Sequence, residues 1–364
     1  MSDQVIRFTR GVPATESFPT TQLAECAVTA LAEQGSVILQ YGQAYGLPVL
    51  REIIAREAGV DNGRVIIGNG SLQLLDLCAR LLVSPGSVAY VEQPSYDRTL
   101  TVLRRCGARL VGFPVQEDGP DIDQLEDRLK QGERPVLFYI IPDFQNPTGA
   151  VISFHKRQRI ASLAREYEFW IIEDIPYRKL RYRGEEHPTI FSMAPERTIL
   201  LSSYSKLISP GLRVGYLVAP TSLVDALARM AEDTYINASY LNQAIVAQFI
   251  RQGWLEPQIS RLKALYEPRL DATLNALASY MTDLATWFRP EGGFYVGVIL
   301  NGTVRADELL KLAQEANLLL TDGRGFFAEG SGDNFIRIPF CALTPEEIEI
   351  GIARLAGVIR RAIS

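Results

Sequence analysis

The sequence has little of the material on which several classes of protein depend. It contains only two histidines and four cysteines, and no two of the cysteines form a C-x-x-C pair. His155 opens a predicted surface helix and His187 lies beside Pro188 in a loop, so neither a metal site nor a histidine-based catalytic triad is expected. Cysteines that lie so far apart predict buried thiols in a reducing compartment, so we expect a cytoplasmic protein.

Two further classes of partner are disfavoured by charge and hydropathy. The formal net charge is −5, and Lys and Arg form no cluster, which argues against nucleic acid or an anionic membrane surface as a partner. No apolar run reaches the roughly 18 residues of a membrane-spanning helix, and no signal-peptide pattern opens the chain. Small molecules are the more natural partners.

The sequence also lacks the common nucleotide-binding signatures. A glycine-rich turn occurs at Gly68-Asn69-Gly70-Ser71, but Gln73 stands where the dinucleotide fingerprint requires its third glycine. No G-x-x-x-x-G-K-[ST] loop is present either. The turn still precedes a helix, whose free N–H groups favour an anion such as phosphate.

The chain of 364 residues is long enough for two domains, since a typical domain has about 150 residues. Between Val65 and Pro220, short β-rich apolar runs alternate with helix-like segments, which predicts an α/β fold. Most runs are continuously apolar, so we expect a mostly parallel seven-stranded sheet with helices on both faces. The predicted strands are Val65–Ile67, Ser87–Val91, Arg109–Val115, Val136–Ile141, Trp170–Glu173, Thr198–Ser202 and Val214–Ala219.

Helices are predicted where apolar residues recur at intervals of three and four: Leu72–Leu82 with Ser71 as its N-cap, Phe154–Glu168 and Leu223–Glu232. From Asn237 to about Met281 the pattern is mainly helical. A smaller α+β domain is then predicted from strands at Gly293–Leu300 and Phe335–Phe340 and helices at Ala306–Ala316 and Pro345–Ile363.

We therefore assign residues 41–255 to a large domain. Residues 1–40 plus 256–364 are assigned to a small domain, so the boundary near residues 250–265 is expected to run through a helix.

Polar residues collect where the predicted strands end, which is where ligands bind in open α/β sheets. The glycine-rich turn follows the first run, Asn146-Pro147-Thr148-Gly149 follows the fourth, Asp174 and Tyr177 follow the fifth, and Lys206 follows the sixth. Each could be structural on its own, as a turn, a helix cap, a strand-end carboxylate or a solvated lysine. Together they predict four neighbouring strand ends that offer a phosphate cradle, an amide, a carboxylate with a phenol, and an amine.

These positions together resemble the fold-type-I pyridoxal-phosphate enzymes. Within them the sequence is similar to the class I and II aminotransferases, especially the branch of the α-aminoadipate and kynurenine aminotransferases. The most specific motifs are N-P-T-G at residues 146–149 and S-Y-S-K-x-x-x-P-G-L-R-V-G at residues 203–215. The resemblance implies that pyridoxal phosphate is the cofactor and that the protein moves an amino group from an L-amino acid to a 2-oxo acid.

The resemblance also implies roles for individual residues. Lys206 would carry the cofactor as a Schiff base and move the substrate proton, and Asp174 would keep the pyridine nitrogen protonated. Asn146 and Tyr177 would hydrogen-bond the phenolic oxygen of the cofactor. Further cofactor contacts are implied for Tyr96, which would stack on the ring, and for the phosphate-binding set Gly70, Ser71, Leu72, Ser203, Ser205 and Arg213.

Substrate and subunit contacts are implied in the same way. An arginine within an apolar strand needs an anionic partner, and Arg337 matches the family residue that binds the substrate carboxylate, with a structural salt bridge as the alternative. Gly11 and Asn146 would also contact the substrate. Tyr41 resembles the tyrosine that reaches the neighbouring subunit's phosphate, which implies a homodimer with shared active sites.

Three other functions stay open from the sequence. A carbon–sulfur lyase or a decarboxylase would use the same lysine and aspartate, because the bond that breaks depends on an angle that the sequence does not give. A cofactor-binding sensor module of a transcription regulator would need a basic DNA-binding segment in front, and here the motifs begin near residue 11.

Arg10 stands where relatives have a small residue, and it either reaches the site or faces water.

Overall fold

A computed structural model describes residues 4–363. In chain order its strands are β1 (Ile6–Phe8), β2 (Val65–Gly68), β3 (Val88–Gln93), β4 (Arg109–Gln116), β5 (Gly119–Pro120), β6 (Pro135–Ile140), β7 (Trp170–Asp174), β8 (Thr198–Ser203), β9 (Gly215–Val218), β10 (Ala285–Trp287), β11 (Tyr295–Leu300), β12 (Leu318–Leu320) and β13 (Phe335–Pro339).

The helices are α1 (Thr20–Ile38), α2 (Pro48–Ala58), α3 (Ser71–Leu82), α4 (Asp97–Arg105), α5 (Ile122–Lys130), α6 (Phe154–Glu166), α7 (Ile190–Met193), α8 (Thr221–Tyr235), α9 (Tyr240–Arg251), α10 (Leu255–Tyr280), α11 (Ala306–Glu315) and α12 (Pro345–Ile363). No helix within residues 4–363 is both long enough and apolar enough to cross a membrane.

The predicted α/β fold is confirmed. Among the described residues the largest sheet has eight strands in the order β2-β9-β8-β7-β6-β3-β4-β5. Strands β8, β7, β6, β3 and β4 pair in parallel, whereas β9 is antiparallel to both neighbours and β5 is antiparallel to β4. All seven predicted strands are present with ends shifted by a residue or two, and the two-residue β5 was too short to leave a pattern.

Strand β6 shows why these runs are continuously apolar. Leu137 and Tyr139 belong to one core cluster, whereas Phe138 and Ile140, which point to the opposite face, belong to another. All four side chains are fully buried. A sheet with a core on each face requires apolar residues at successive positions, as in parallel sheets covered by helices on both sides.

The prediction that four strand ends are neighbours is only partly correct. The carboxyl ends of β6, β7 and β8 are adjacent, but β9 separates β2 from β8, so the expectation of four neighbouring ends was wrong. The reversed direction of β9 has a useful effect, because its amino end lies at the edge where the parallel strands end. Arg213, two residues before β9, therefore reaches the same edge as Lys206, which follows β8.

Helix α3 begins one residue earlier than predicted. Gly70 is the residue before the helix, with φ of 92°, and no side chain caps the helix end. The assignment of Ser71 as N-cap was therefore wrong, since Ser71 is the first helical residue. Glycine suits this position because its φ is one that side chains disfavour. Since glycine has no side chain, the first N–H groups of α3 are left without a side-chain cap.

Two smaller sheets involve the C-terminal part of the chain. Strands β10, β11 and β13 form an antiparallel sheet, and β1 pairs in parallel with β12. The pairing of β1 with β12 supports the proposal that residues 1–40 and 256–364 form one domain. Helix α1, however, packs on α9 of the proposed large domain, with Ala30 and Ala244 in a shared cluster. Residues 1–40 thus contact both proposed domains.

The loop after β6 is anchored by a buried cluster of charges. Asp143 is fully buried and accepts hydrogen bonds from Arg157 Nη2 and Arg178 Nη1, each at 2.8 Å. Arg181 Nη2 lies 3.5 Å from the same carboxylate. Burial raises the pKa of Asp143, but the nearby guanidinium groups lower it by more, so the pKa lies below its ordinary value. The ionised carboxylate fixes the start of the loop that carries Asn146.

We expect Asp143→Ala to lower the free energy of unfolding by about 3–5 kcal/mol, because it leaves the fully buried Arg157 guanidinium without its counter-ion. The matched control is Arg80→Ala, which removes an exposed pair with Asp76 within α3 and should cost less than about 1 kcal/mol. Urea unfolding followed by circular dichroism measures both. Equal losses would contradict a structural role for the Asp143 cluster.

Candidate active site

Asp174 is the last residue of β7 and has one satisfied and one unsatisfied oxygen. Its Oδ2 accepts a hydrogen bond from the Tyr139 hydroxyl at 2.8 Å. Its Oδ1 is buried and has no hydrogen-bond partner among the described residues. Burial raises the pKa of this carboxyl to about 7, although the bond from Tyr139 lowers it. A buried carboxylate oxygen without a partner is suited to a cationic N–H donor from a ligand.

Lys206 reaches the same edge from the turn after β8. Its Nζ donates to the Gly11 carbonyl oxygen at 3.0 Å and lies over the rings of Phe294 and Tyr177, at 5.5 and 5.9 Å from their centroids. Burial lowers the pKa of this amine, and the positive charge of Arg337 lowers it further. An amine in this environment is more often neutral, and therefore nucleophilic, than an exposed lysine.

Arg337 links the small antiparallel sheet to this edge. Its Nη1 donates to Asn146 Oδ1 at 3.0 Å and its Nη2 to the Thr9 carbonyl oxygen at 2.6 Å. The guanidinium carbon lies 4.7 Å from the ring centroids of both Tyr295 and Phe326. Both hydrogen bonds go to neutral acceptors, so the structural salt bridge that the sequence left open is not what holds this buried arginine.

The aromatic residues pack around Lys206. The Tyr177 hydroxyl donates to the Tyr295 hydroxyl at 3.4 Å, and burial raises the pKa of Tyr177 well above its usual range. Tyr96 immediately precedes α4 and is partly buried, and burial raises its pKa, with Tyr295 and Asp174 among the nearby charges that add to the effect. Gly11 borders the same space, since a Cβ there would lie 2.0 Å from the Tyr295 hydroxyl.

The predicted phosphate-binding residues also come together. A Cβ on Gly70 would lie 2.4 Å from Arg213 Nη2, so only glycine allows the guanidinium to approach the start of α3. Arg213 Nη2 donates to the Asn69 carbonyl oxygen at 3.0 Å, and Ser203 Oγ donates to Ser205 Oγ at 2.8 Å. Ser71 and Leu72 are the first two residues of α3. Hydroxyl groups, a guanidinium and free helix N–H groups form a donor set suited to a phosphate.

Two residues singled out in the sequence have side chains that point away from this cluster. Tyr41 is 77% exposed, and its backbone N–H donates to the side chain of Gln40. Arg10 is exposed, although the carbonyl groups on either side of it, those of Thr9 and Gly11, accept from Arg337 and Lys206. Within one subunit, Arg10 faces water.

Several residues of the site were missed from the sequence. They are Tyr139, Tyr295 and Phe326, together with the backbone carbonyl of Thr9. A tyrosine within an apolar parallel strand was the one available signal, because a buried hydroxyl needs a hydrogen-bond partner. Its partner depends on the register of β6 against β7, which the sequence does not specify.

Comparison with known proteins gives a consistent result. The family model described as aminotransferase class I and II matches residues 3–355. The 2-aminoadipate transaminase of Thermus thermophilus is 35% identical over 98% of this chain and 90% of its own length. The aromatic-amino-acid aminotransferase 1 of Thermococcus litoralis is 32% identical over 99% of this chain and 89% of its own length.

A solved structure is similarly close. The α-aminoadipate aminotransferase of Thermus thermophilus, complexed with N-(5'-phosphopyridoxyl)-L-leucine, superposes with a TM-score of 0.94 at 34% identity, covering 99% of this chain and 93% of its own.

The expectations of family, fold and cofactor are confirmed by these comparisons. The site fits pyridoxal phosphate on its own geometry, since the unpartnered Asp174 Oδ1 suits the ring nitrogen and the cradle at Gly70 and Arg213 suits the phosphate. The protein is a pyridoxal-phosphate-dependent enzyme acting on amino acids and 2-oxo acids, and the chain belongs to the class I and II aminotransferases.

Proposed function

We propose that Lys206 and Asp174 are the two principal catalytic side chains of a transamination site, with Tyr177 as the third. The observation that carries the proposal is the buried, unpartnered Oδ1 of Asp174, which lies at the same sheet edge as the Lys206 amine. Pyridoxal phosphate, when bound, supplies an aldehyde for the amine and a ring that withdraws electrons from the substrate Cα. A carboxylate at the ring nitrogen favours the protonated ring.

Lys206 has two tasks in this proposal. Its lowered pKa makes the amine a nucleophile that can hold the cofactor as a Schiff base. Once an amino acid has displaced it, the free amine would accept the proton from the substrate Cα and would deliver it to C4′ of the cofactor. Tyr177 and Asn146 would hydrogen-bond the phenolic oxygen of the cofactor, and Tyr96 would stack on its ring.

The phosphate would be held by three kinds of donor. The N–H groups at Gly70, Ser71 and Leu72 lie at the positive end of the α3 dipole. The remaining donors are the hydroxyl groups of Ser203 and Ser205 and the planar guanidinium of Arg213, which can contact two phosphate oxygens at once.

Arg337 would bind the α-carboxylate of the substrate. Two aromatic rings keep its guanidinium in place, and its Nε has no partner among the described residues. Asn146, which accepts from Arg337, and Gly11, whose lack of a side chain leaves room beside Tyr295, would border the same carboxylate. Because the two relatives are named for 2-aminoadipate and aromatic amino acids, these substrates head the panel to be tested.

We further propose a homodimer with shared active sites. Large apolar side chains are exposed on α1, on the segment after it and at the residue that follows α8. These residues are Val28, Leu31, Val37, Leu39, Tyr41 and Ile236, between 43% and 77% exposed. Such an apolar surface is typical of a subunit interface. Tyr41 lies within it, so in a dimer its hydroxyl can extend to the phosphate of the neighbouring subunit.

A cytoplasmic location is proposed on the state of the cysteines. Cys26, Cys78, Cys106 and Cys341 are all free thiols, and burial raises the pKa of each. Buried thiols that form no disulfide are usual in reducing compartments.

Lys206→Ala is expected to abolish amino-group transfer, because no other amine replaces its nucleophilic and proton-transfer roles. The measurement is a half-reaction screen, in which the holoenzyme is mixed with each amino acid and loss of its visible absorbance is followed. Borohydride reduction and peptide mapping should find the cofactor on Lys206. The control, Lys179→Ala, removes a lysine that pairs with Glu57 and should retain normal turnover.

Normal turnover by Lys206→Ala, or a trapped adduct elsewhere, would refute the assignment. The lyase, decarboxylase and sensor alternatives predict different products in the same screen. A lyase releases ammonia, a decarboxylase releases carbon dioxide, and a sensor shows no turnover with a 2-oxo acid acceptor.

Arg337→Lys should lower kcat/KM for amino acid substrates by about 100-fold, because an ammonium cannot bind a carboxylate in two places. The absorbance of the bound cofactor should stay unchanged, since Arg337 is assigned to the substrate. A matched control is Arg183→Lys, whose guanidinium pairs with Asp271 in an exposed pair. An unchanged kcat/KM in Arg337→Lys would exclude the carboxylate assignment.

Tyr41→Phe should lower cofactor affinity about tenfold, the worth of one hydrogen bond to a charged group. Mixed dimers test the sharing directly. A dimer of one Tyr41→Phe subunit and one Lys206→Ala subunit has one site with both lesions and one with neither. At limiting cofactor, activity should therefore exceed that of either parent. A monomer in light scattering, or no recovery in the mixture, would contradict the shared site.

A further inference from the structure

Tyr139 lies next to Asp174 because of the register of two parallel strands. Tyr139 of β6 pairs with Ile172 of β7, and Asp174 follows Ile172 by two residues, so Tyr139 and Asp174 point to the same face of the sheet. Diagonal neighbours at this spacing are within reach of a long side chain. The Tyr139 hydroxyl lies 2.8 Å from Asp174 Oδ2, and both residues are buried.

The direction of this hydrogen bond follows from the chemistry of the pair. Burial, followed by the charge of Asp174, raises the pKa of the Tyr139 phenol well above its usual range. The phenol therefore keeps its proton at any physiological pH and acts as a donor. Asp174 Oδ2 is the acceptor, which favours the ionised carboxylate over the neutral acid.

A carboxylate that is hydrogen-bonded through one oxygen has a fixed plane, and its other oxygen can still accept a hydrogen bond. In Asp174 that oxygen is Oδ1, which has no partner among the described residues. Without the Tyr139 hydroxyl, Oδ2 would also be buried without a donor, and a carboxylate in that state takes up a proton. Tyr139 therefore affects both the orientation of the carboxylate and its affinity for a proton.

We propose that Tyr139 is a positioning residue for the transamination reaction. Its hydroxyl holds Asp174 ionised and directs Asp174 Oδ1 at the ring nitrogen of the cofactor. This inference rests on the proposed roles of Lys206 and Asp174. When bound, the cofactor would share a proton between its ring nitrogen and Oδ1. With Tyr139 donating to Oδ2, Asp174 would be the weaker base and would favour the protonated ring. Without the hydroxyl, Asp174 would be more basic and would compete with the ring nitrogen for that proton.

Tyr139→Phe removes only the hydroxyl group, and Tyr90→Phe is a matched control. Tyr90 lies on the adjacent strand β3, is fully buried, and donates to Glu133 Oε2 at 2.9 Å. It belongs to the core cluster on the opposite face of the sheet from Tyr139. Both variants thus lose one tyrosine-to-carboxylate bond in the same sheet, but only Tyr139→Phe loses it beside the site.

Three properties of the holoenzymes are measured. Tyr139→Phe should weaken cofactor binding and lower kcat, each by about tenfold, with KM nearly unchanged. The pH midpoint of the cofactor's visible absorbance change should rise by about one unit, because a neutral ring no longer repels a proton on the Schiff base. Tyr90→Phe should change none of the three, although it lowers the free energy of unfolding.

A double-mutant cycle with Asp174→Asn tests whether Tyr139 acts through Asp174. If it does, Tyr139→Phe has little further effect on cofactor affinity or kcat once Asp174 is an amide. Additive effects, an unshifted pH midpoint, or an equal shift in Tyr90→Phe would overturn the inference. Borohydride trapping on Lys206 in wild type and Tyr139→Phe separates these results from a failure of the proposed function, which would leave Lys206 unmodified in both.

Discussion

The site depends on one buried carboxylate, that of Asp174, which has an oxygen without a hydrogen-bond partner among residues 4–363. Burial raises the pKa of Asp174 to about 7, so the chain alone stabilises its charge only weakly. A group of this kind destabilises an isolated protein and is usually found where a ligand completes the hydrogen bonding. The Tyr139 hydroxyl donates to its other oxygen, and the neighbouring strands bury it. A cofactor that donates to Oδ1 would complete the hydrogen bonding of this carboxylate.

The second constraint is the pair of basic side chains in the same site as this carboxylate. Lys206 and Arg337 lie close enough for the charge of the arginine to lower the pKa of the amine, and their hydrogen bonds go to neutral acceptors. Backbone carbonyl groups of Gly11 and Thr9 are among these acceptors, which attaches the N-terminal segment to both side chains. Neutral acceptors leave the cations able to bind anionic ligands, whereas a carboxylate partner would compete with the substrate.

Much of the fold and of the site could be predicted from the sequence. Continuous apolar runs predict a sheet covered by helices on both faces, and clusters of polar residues indicate where its strands end. The order of the strands could not be predicted in the same way. No local feature of Val214–Ala219 indicates that this strand is reversed, although its reversal brings Arg213 to the edge where the parallel strands end. Strands of three residues such as β1 and β12 leave no period. Tyr139 looks like a core residue until the register of β6 against β7 brings its hydroxyl beside Asp174. A side chain whose role depends on contacts distant in the sequence cannot be identified from a local sequence pattern.

The turn between β8 and β9 carries both the Lys206 amine and the Arg213 guanidinium on one short piece of chain. Its ends are tied where the Tyr204 N–H donates to the Val214 carbonyl oxygen at 3.1 Å, so the span from Lys206 to Arg213 cannot stretch or shorten freely. If Lys206 and Arg213 bind the two ends of one cofactor as proposed, this tie fixes the separation of the two groups that hold it. Changes in other loops could then alter which amino acids are accepted without moving the cofactor.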